Sequence, residues 1–184
     1  MKYLQAYPDS VKNQVKDLLG GNGLGALLLK KYAQPHGVRT DRALYDYVMG
    51  LKNEHLRSSA PLSRVAFDAK LHVVAHALGT HTTVSRVQGS QLKSKREIRI
   101  ATLFKEVPEP FLKMITVHEL AHIKERAHDK AFYKLCEHMQ PDYHQLEFDV
   151  RLYLTHLEAS GAGLWSPKIS AAVDTQGTNA KACM

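Results

Sequence analysis

Hydrophobic residues recur at helical spacing through the second half of the chain. Two prolines on either side of Glu109 mark a helix start, and Phe111, Ile115, His118 and His122 then follow on one face. The pattern predicts a helix packed on a core, with two histidines continuing its buried stripe.

Two further helices are predicted after this one. Asp129 is a natural N-cap for the first, and the amphipathic stripe of that helix stops at Pro141. Asp142 can cap the second, which continues at helical spacing until Gly161 ends it. Both helices are expected to pack beneath the helix that carries the histidines.

The first half of the chain predicts three helices followed by a small sheet. Asp9 and Asp41 are suited to cap the first and third helices, and a shorter helix over residues 24–32 lies between them. The pattern as a whole therefore predicts an α+β fold with a small antiparallel sheet. Three runs have strand character: residues 71–77, 82–87 and 97–104.

Composition agrees with one domain inside a cell. The chain has 184 residues, 44% of them hydrophobic, which is enough to bury one core. No segment resembles a signal peptide or a membrane span, and Cys136 and Cys183 do not suit a disulfide framework. We therefore expect a cytoplasmic protein without a membrane partner. After residue 160 small and polar residues dominate, so we expect a single domain over residues 1–160 and a disordered tail over residues 161–184.

The candidate chemistry lies in the sequence His-Glu-x-x-His, which begins at His118. Residues four apart share a helix face, so His118 and His122 can bind one metal ion while Glu119 reaches a water on that metal. The alternative is that both histidines are hydrogen-bonded core residues.

A catalytic zinc ion needs a third protein ligand, and His128 follows His122 by six residues. This is the spacing of the metzincins, which have a glycine where this chain has Glu125. For His128 to reach the metal, the helix must end near Arg126 or Ala127. Other zincins take the third ligand from a following helix, which leaves four alternatives: Glu137, His138, His144 and Glu147.

Basic residues crowd the predicted hairpin that leads to this helix. With a formal net charge of +7, such a hairpin could hold a triphosphate or a nucleic-acid backbone. Alternatively, its lysines keep an exposed sheet edge unpaired. The candidate substrate-binding residues are Arg86, Lys93, Lys95, Arg96 and Tyr133.

Other polar residues are candidates for supporting roles. Glu147 and Asp149 are the nearest carboxylates in sequence that could orient the histidines. Tyr133, Tyr143 and Arg86 are candidates for stabilising an oxyanion. Three histidines of the predicted strands, which are better explained as strand surface, offer a second metal site: His72, His76 and His81.

Residues 96–157, which include HELAHIKERAHDKAFYKLCEHMQPDYHQLEFD, closely resemble the YgjP-like metal-dependent hydrolases, relatives of the SprT-like and WLM-type zinc metallopeptidases. The likeness extends upstream through residues 77–82 and 85–89 and, more weakly, to the N-terminal helices. It implies a zincin-like domain with Zn²⁺ on His118, His122 and His128, Glu119 as the catalytic residue, and a bacterial cytoplasmic location. Many broader relatives have a Trp-Gly pair where this chain has Val-Gln-Gly at residues 87–89.

Three functions compete at this point. A metallopeptidase is favoured by analogy of fold, and its substrate would pair with the strand over residues 97–104 as a sheet edge. A pyrophosphatase acting on UTP, an activity also described in the YgjP-like group, would use the same metal site with the basic hairpin. A binding module with purely structural zinc is disfavoured, because three histidines beside a glutamate leave a position open.

Overall fold

The computed structural model describes residues 1–71, 79–88 and 91–165, and the side chains of residues 79–95 lie outside this description. The helices of the described part are α1 (Asp9–Gly20), α2 (Gly23–Lys31), α3 (Asp41–His55), α4 (Glu109–Ala121), α5 (Lys130–Met139) and α6 (Tyr143–Ser160). The strands are β1 (Leu62–Asp68), β2 (Gly79–Gln88) and β3 (Gln91–Ala101). Short 3-10 turns cover Lys2–Leu4 and Thr102–Glu106. None of the helices in these ranges has the length and apolar character that a bilayer crossing requires.

The three strands form one mixed sheet in the order β1-β3-β2. The predicted hairpin is confirmed, since β2 runs antiparallel to β3 and Gln88 lies opposite Gln91. The prediction of an antiparallel sheet is wrong for the other pair, because β1 runs parallel to β3. β1 was not predicted, and residues 72–77 of the predicted first strand lie outside the described residues.

The central strand differs from its prediction in length and in position. It ends at Ala101, and the chain then tightens into a 3-10 turn that buries Phe104 completely. Ile98 and Ile100 are also fully buried, as strand alternation requires. Because β3 is paired on both sides, it is not the sheet edge that a bound peptide would need.

Helix α4 lies at the centre of the core. Ten of its thirteen residues are buried. It packs against the sheet on one side and against α5 and α6 on others. The sequence predicted one buried stripe, whereas the helix is enclosed on most of its circumference, which holds its polar side chains in a dry environment.

The packed chain continues beyond α6. Gly161 ends the helix in the left-handed region, with φ of 70°. Trp165 is only 7% exposed, packs edge-on against Phe111 and donates from Nε1 to the carbonyl of Tyr32 at 2.7 Å. The domain therefore extends at least to Trp165, five residues beyond the expected boundary. The expected tail from residue 166 lies outside the described residues.

Candidate metal centre

The helix that carries the motif ends earlier than predicted. Its last residue is Ala121, and His122 occupies the C-cap with φ of −62° and ψ of −13°. The next two amides bond three residues back: Ile123 to the Leu120 carbonyl and Lys124 to the Ala121 carbonyl, both at 3.0 Å. This tightening turns the chain out of the helix without a left-handed residue, so no glycine is needed where Glu125 stands. The prediction of an end near Arg126 or Ala127 is wrong.

The early helix end brings three histidines together. The Nε2 atom of His128 lies 3.1 Å from Nε2 of His118 and 3.1 Å from Nε2 of His122. The ligand atoms of all three lie within 4.8 Å of one another, a cluster that could hold a metal ion. Among the described residues no other group of His, Cys, Asp and Glu has this geometry.

The hydrogen bonds behind two of the rings fix their orientation. Nδ1 of His122 lies 3.0 Å from the carbonyl of Glu125. A carbonyl only accepts, so this Nδ1 carries the proton and Nε2 presents a lone pair to the cluster. Nδ1 of His118 lies 2.7 Å from the hydroxyl of Tyr143. Both Nε2 atoms are thereby turned towards His128.

The environment keeps the imidazoles of His118 and His122 neutral. Burial, with smaller contributions from His122 and His128, lowers the pKa of His118 to about 3. Burial also lowers the pKa of His122, against the opposing effect of the Glu125 carbonyl. Neutral imidazole is the form that binds a metal.

The donor set fits a tetrahedral ion. Ligands about 2.05 Å from a zinc ion lie about 3.3 Å apart, close to the 3.1 Å that separates Nε2 of His128 from Nε2 of each of the other two histidines. His128 cannot satisfy both neighbours by donating a single ring proton, whereas one shared cation would satisfy all three lone pairs.

Glu119 is the second unusual group of the site. Its side chain is 1% exposed, and its Oε2 atom has no hydrogen-bond partner within the described part of the chain. Burial raises the pKa of this carboxyl group to about 8. An unpaired buried carboxyl oxygen is costly to the fold, so this one has the character of a group retained for chemistry.

The alternative third ligands lie elsewhere. Glu137 pairs with His144 at 3.2 Å, and Glu147 pairs with Arg151 at 2.5 Å. His138 packs edge-on against another histidine ring. None of the four joins the cluster of three.

The two carboxylates expected to orient the histidines do not contact them. Asp149 is 3% exposed and accepts from Lys31 and from the Tyr32 hydroxyl, both at 2.5 Å, which attaches the end of α2 to α6. Glu147 bonds Arg151 instead. Tyr143 and a backbone carbonyl orient the rings. No sequence signal distinguishes these two groups, because their contacts depend on how α6 packs and where α4 ends.

The candidate substrate residues divide into two sets. Arg96 donates from Nη1 to the carbonyl of Ile123 at 3.2 Å, which places it beside the residue that follows His122. The ring centroid of Tyr133 lies 6.5 Å from that of His128. The other three substrate candidates, Arg86, Lys93 and Lys95, have side chains outside the described residues. The side chains of the candidate second metal site, His72, His76 and His81, lie outside them as well.

The chain resembles known proteins over most of its length. Residues 46–150 match the family model described as "YgjP-like, metallopeptidase domain". The chain is 55% identical over 157 residues to a protein of Escherichia coli (strain K12) named "UTP pyrophosphatase", a match that covers 85% of this chain and 94% of that relative. No solved structure matches the chain significantly.

Proposed function

Since the chain belongs to the YgjP-like family, we propose that it is a zinc-dependent hydrolase that cleaves UTP to UMP and pyrophosphate at the three-histidine centre. The observation that carries the proposal is the convergence of three histidine nitrogens beside a buried glutamate whose Oε2 atom lacks a partner in the described structure. The name of the E. coli relative supports the choice of substrate.

The proposed metal ligands are His118, His122 and His128. Imidazole ligands and an open fourth position are typical of catalytic zinc. When bound, zinc supplies positive charge that makes a water molecule more acidic and stabilises negative charge on the phosphate.

The residues of the chain supply the proton transfer and the orientation. Burial alone keeps the Glu119 carboxyl largely protonated, and the positive charge of a bound zinc ion would lower its pKa and favour the carboxylate. The Glu119 carboxylate then accepts a proton from the attacking water, which adds to the α-phosphorus of the nucleotide. The bond from that phosphorus to the bridging oxygen then breaks, and Glu119 returns the proton to the departing pyrophosphate. The hydroxyl of Tyr143 and the carbonyl of Glu125 hold two of the histidines in place throughout.

A basic environment supports a triphosphate substrate. The formal net charge is +7, and the side chain of Arg96 contacts the backbone just after α4 ends. The hairpin residues Arg86, Lys93 and Lys95 remain candidates for phosphate contacts. A nucleic-acid partner of this hairpin likewise stays a prediction, as does a cytoplasmic location.

Peptide hydrolysis is the competing function, because the family model carries the metallopeptidase description. β3, the strand that the sequence suggested would pair with a peptide, is the central strand of the sheet. This form of the peptidase hypothesis therefore lacks a free sheet edge on which a peptide could bind. A peptide would instead need to pair with β1 or β2.

The deciding experiment incubates the zinc-loaded protein with UTP, CTP, ATP and GTP and, separately, with an unfolded protein. We expect UMP and pyrophosphate from UTP, and loss of this activity in Glu119→Gln. The matched control is Glu54→Gln, which makes the same change at an exposed position on α3. Cleavage of the unfolded protein that depends on Glu119, with all nucleotides intact, would replace the proposal with the peptidase.

A further inference from the structure

A cleft of about 480 Å³ lies between the N-terminal turn and helices α5 and α6. Its volume falls within the range of small-molecule sites. Tyr133 lines it, and the ring of Tyr133 lies 5.3 Å from that of His144, which also lines the cleft, and 6.5 Å from that of His128. One wall of the cleft, Tyr133, therefore also lies next to a histidine of the three-histidine centre.

Aromatic rings dominate the apolar part of this cleft. Tyr3, Tyr7 and Tyr133 all line it. The ring of Tyr7 is held against Phe148, with centroids 5.0 Å apart. Burial raises the pKa of the hydroxyls of Tyr7 and Tyr133, and the opposite charges of Arg151 and Glu147 act on both in opposite directions, so both remain hydrogen-bond donors at neutral pH. The cleft thus offers flat apolar faces together with uncharged donors.

The charged groups of the cleft are balanced. Because each cation already has an acidic partner, the cleft has little excess positive charge with which to bind a phosphate chain. A flat, uncharged, polar molecule suits it better. The pairs are Lys2 with Glu158 at 2.7 Å and Arg151 with Glu147 at 2.5 Å, and the ring of His144 lies 3.2 Å from the carboxylate of Glu137.

We propose that this cleft binds the nucleoside part of the nucleotide whose phosphates are hydrolysed at the metal centre, an inference that rests on the proposed function. A nucleobase has π-faces that stack on tyrosine and an edge that exchanges hydrogen bonds. The carboxylate of Glu147 can accept from a ring N–H, while Gln5 and the tyrosine hydroxyls can donate to base or ribose oxygens. The phosphates remain outside the cleft, at the histidines.

The test fills the cleft without removing a contact. Ala6 lines the cleft and is exposed, so Ala6→Trp adds a large ring there and deletes no side chain that packs elsewhere. The matched control is Ala33→Trp, at an exposed loop position that does not line the cleft. Both variants are first checked for zinc content and melting temperature, which must equal those of the wild type.

Two readouts separate the cleft from the chemistry. In steady-state assays, Ala6→Trp is expected to raise the KM for UTP by about tenfold or more, the scale of one lost stacking contact, while Ala33→Trp keeps the wild-type KM. In ligand-observed NMR, uridine without phosphates should bind the wild type and Ala33→Trp but not Ala6→Trp.

Each outcome decides one of the two proposals. If UTP is hydrolysed but Ala6→Trp keeps the wild-type KM and uridine binding, the cleft assignment is overturned while the proposed function stands. If the wild type hydrolyses no nucleotide, the proposed function fails. Uridine binding then tests the cleft assignment by itself. Uridine that binds and is lost in Ala6→Trp supports the assignment, and uridine that does not bind the wild type overturns it.

Discussion

Glu119 has an environment that few carboxylates in folded proteins occupy. It follows a histidine of the cluster on a helix enclosed by the core, and its Oε2 atom has no partner in the described structure. Water would ordinarily solvate such a group, and losing that solvation costs several kcal/mol when no hydrogen bond replaces it. A role in proton transfer at the site would explain why such a costly group is retained.

We predict that Glu119→Gln keeps the metal and the fold but reduces turnover by a factor of about 10² to 10⁴, the usual contribution of a general base. The amide preserves shape and burial while removing the proton acceptor. The measurement sets the hydrolysis rate beside zinc content and melting temperature for the same sample. Loss of zinc together with activity would instead make Glu119 a ligand or a structural residue.

A second residue prediction concerns Tyr143, which is fully buried with its hydroxyl 2.7 Å from Nδ1 of His118. Tyr143→Phe keeps the ring in the core but leaves that nitrogen without its partner. Partners of metal-bound histidines typically contribute 10-fold to 100-fold in affinity, so zinc affinity is expected to fall by about that factor.

A chelator competition titration measures this affinity. Tyr153→Phe is the control, because Tyr153 is similarly buried but packs against Trp165 instead of a histidine. Equal zinc affinity in the two variants would show that the Tyr143 hydroxyl does not orient His118.

Helix α5 begins immediately after the third histidine. Its N-cap, Asp129, accepts hydrogen bonds from the amides of Ala131 and Phe132 at 2.9 and 3.1 Å. These bonds fix the backbone at the start of α5, directly after His128. The cap therefore stabilises the helix and also positions His128.

We predict that Asp129→Ala lowers the free energy of unfolding by about 1 kcal/mol, the usual cost of losing a cap, and weakens zinc binding. Asp142→Ala is the matched control, since Asp142 holds the equivalent position before α6 but makes no capping bond with its side chain. Its unfolding free energy should change by less than about 0.5 kcal/mol. Denaturant titration measures both, and equal losses would contradict a specific role for the Asp129 cap.

The elements that the sequence predicted well are those whose signals are local. The boundaries of α5 were predicted because Asp129 and Pro141 are strong start and stop signals. The end of α4 was not, because it depends on amides bonding three residues back instead of four. β1 was missed because its burial does not alternate strictly, and its parallel pairing with β3 is a long-range contact.

At the scale of the whole molecule, Trp165 joins three separate helices. It bonds the Tyr32 carbonyl at the end of α2, packs on Phe111 of α4 and lies against Tyr153 of α6, with ring centroids 5.1 Å apart in the last pair. The segment after α6 is thus part of the core.

We predict that Trp165→Ala lowers the free energy of unfolding by about 3 kcal/mol, near the lower end for a buried aromatic residue because the segment is close to the surface. Leu29→Ala is the control, since Leu29 is 40% exposed on α2 and should cost less than about 0.5 kcal/mol. Thermal and urea unfolding measure both. If Trp165→Ala is as stable as the wild type, residues 161–165 belong to the expected tail and not to the packed domain.

The family and the His118–His122 pair follow from a local run of residues, and the α+β class follows from the pattern along the whole chain. The sequence left four alternatives to His128 open, and only the folded chain shows that His128 joins the other two histidines. The domain boundary was placed too early because Trp165 stands alone among small residues, and only the packed structure shows what it contacts. Long-range contacts such as that between Asp149 and Lys31 cannot be predicted from a single sequence.

His118 belongs to an enclosed helix, whereas His128 stands exposed on the short connection between α4 and α5. Loops of this kind open by local fluctuation far more often than a core helix unfolds. The metal is therefore expected to leave by detachment of His128 first, while the fold remains intact. The residence time of a metal ion bound at this centre would then depend on how often the loop opens and not on the global stability of the protein.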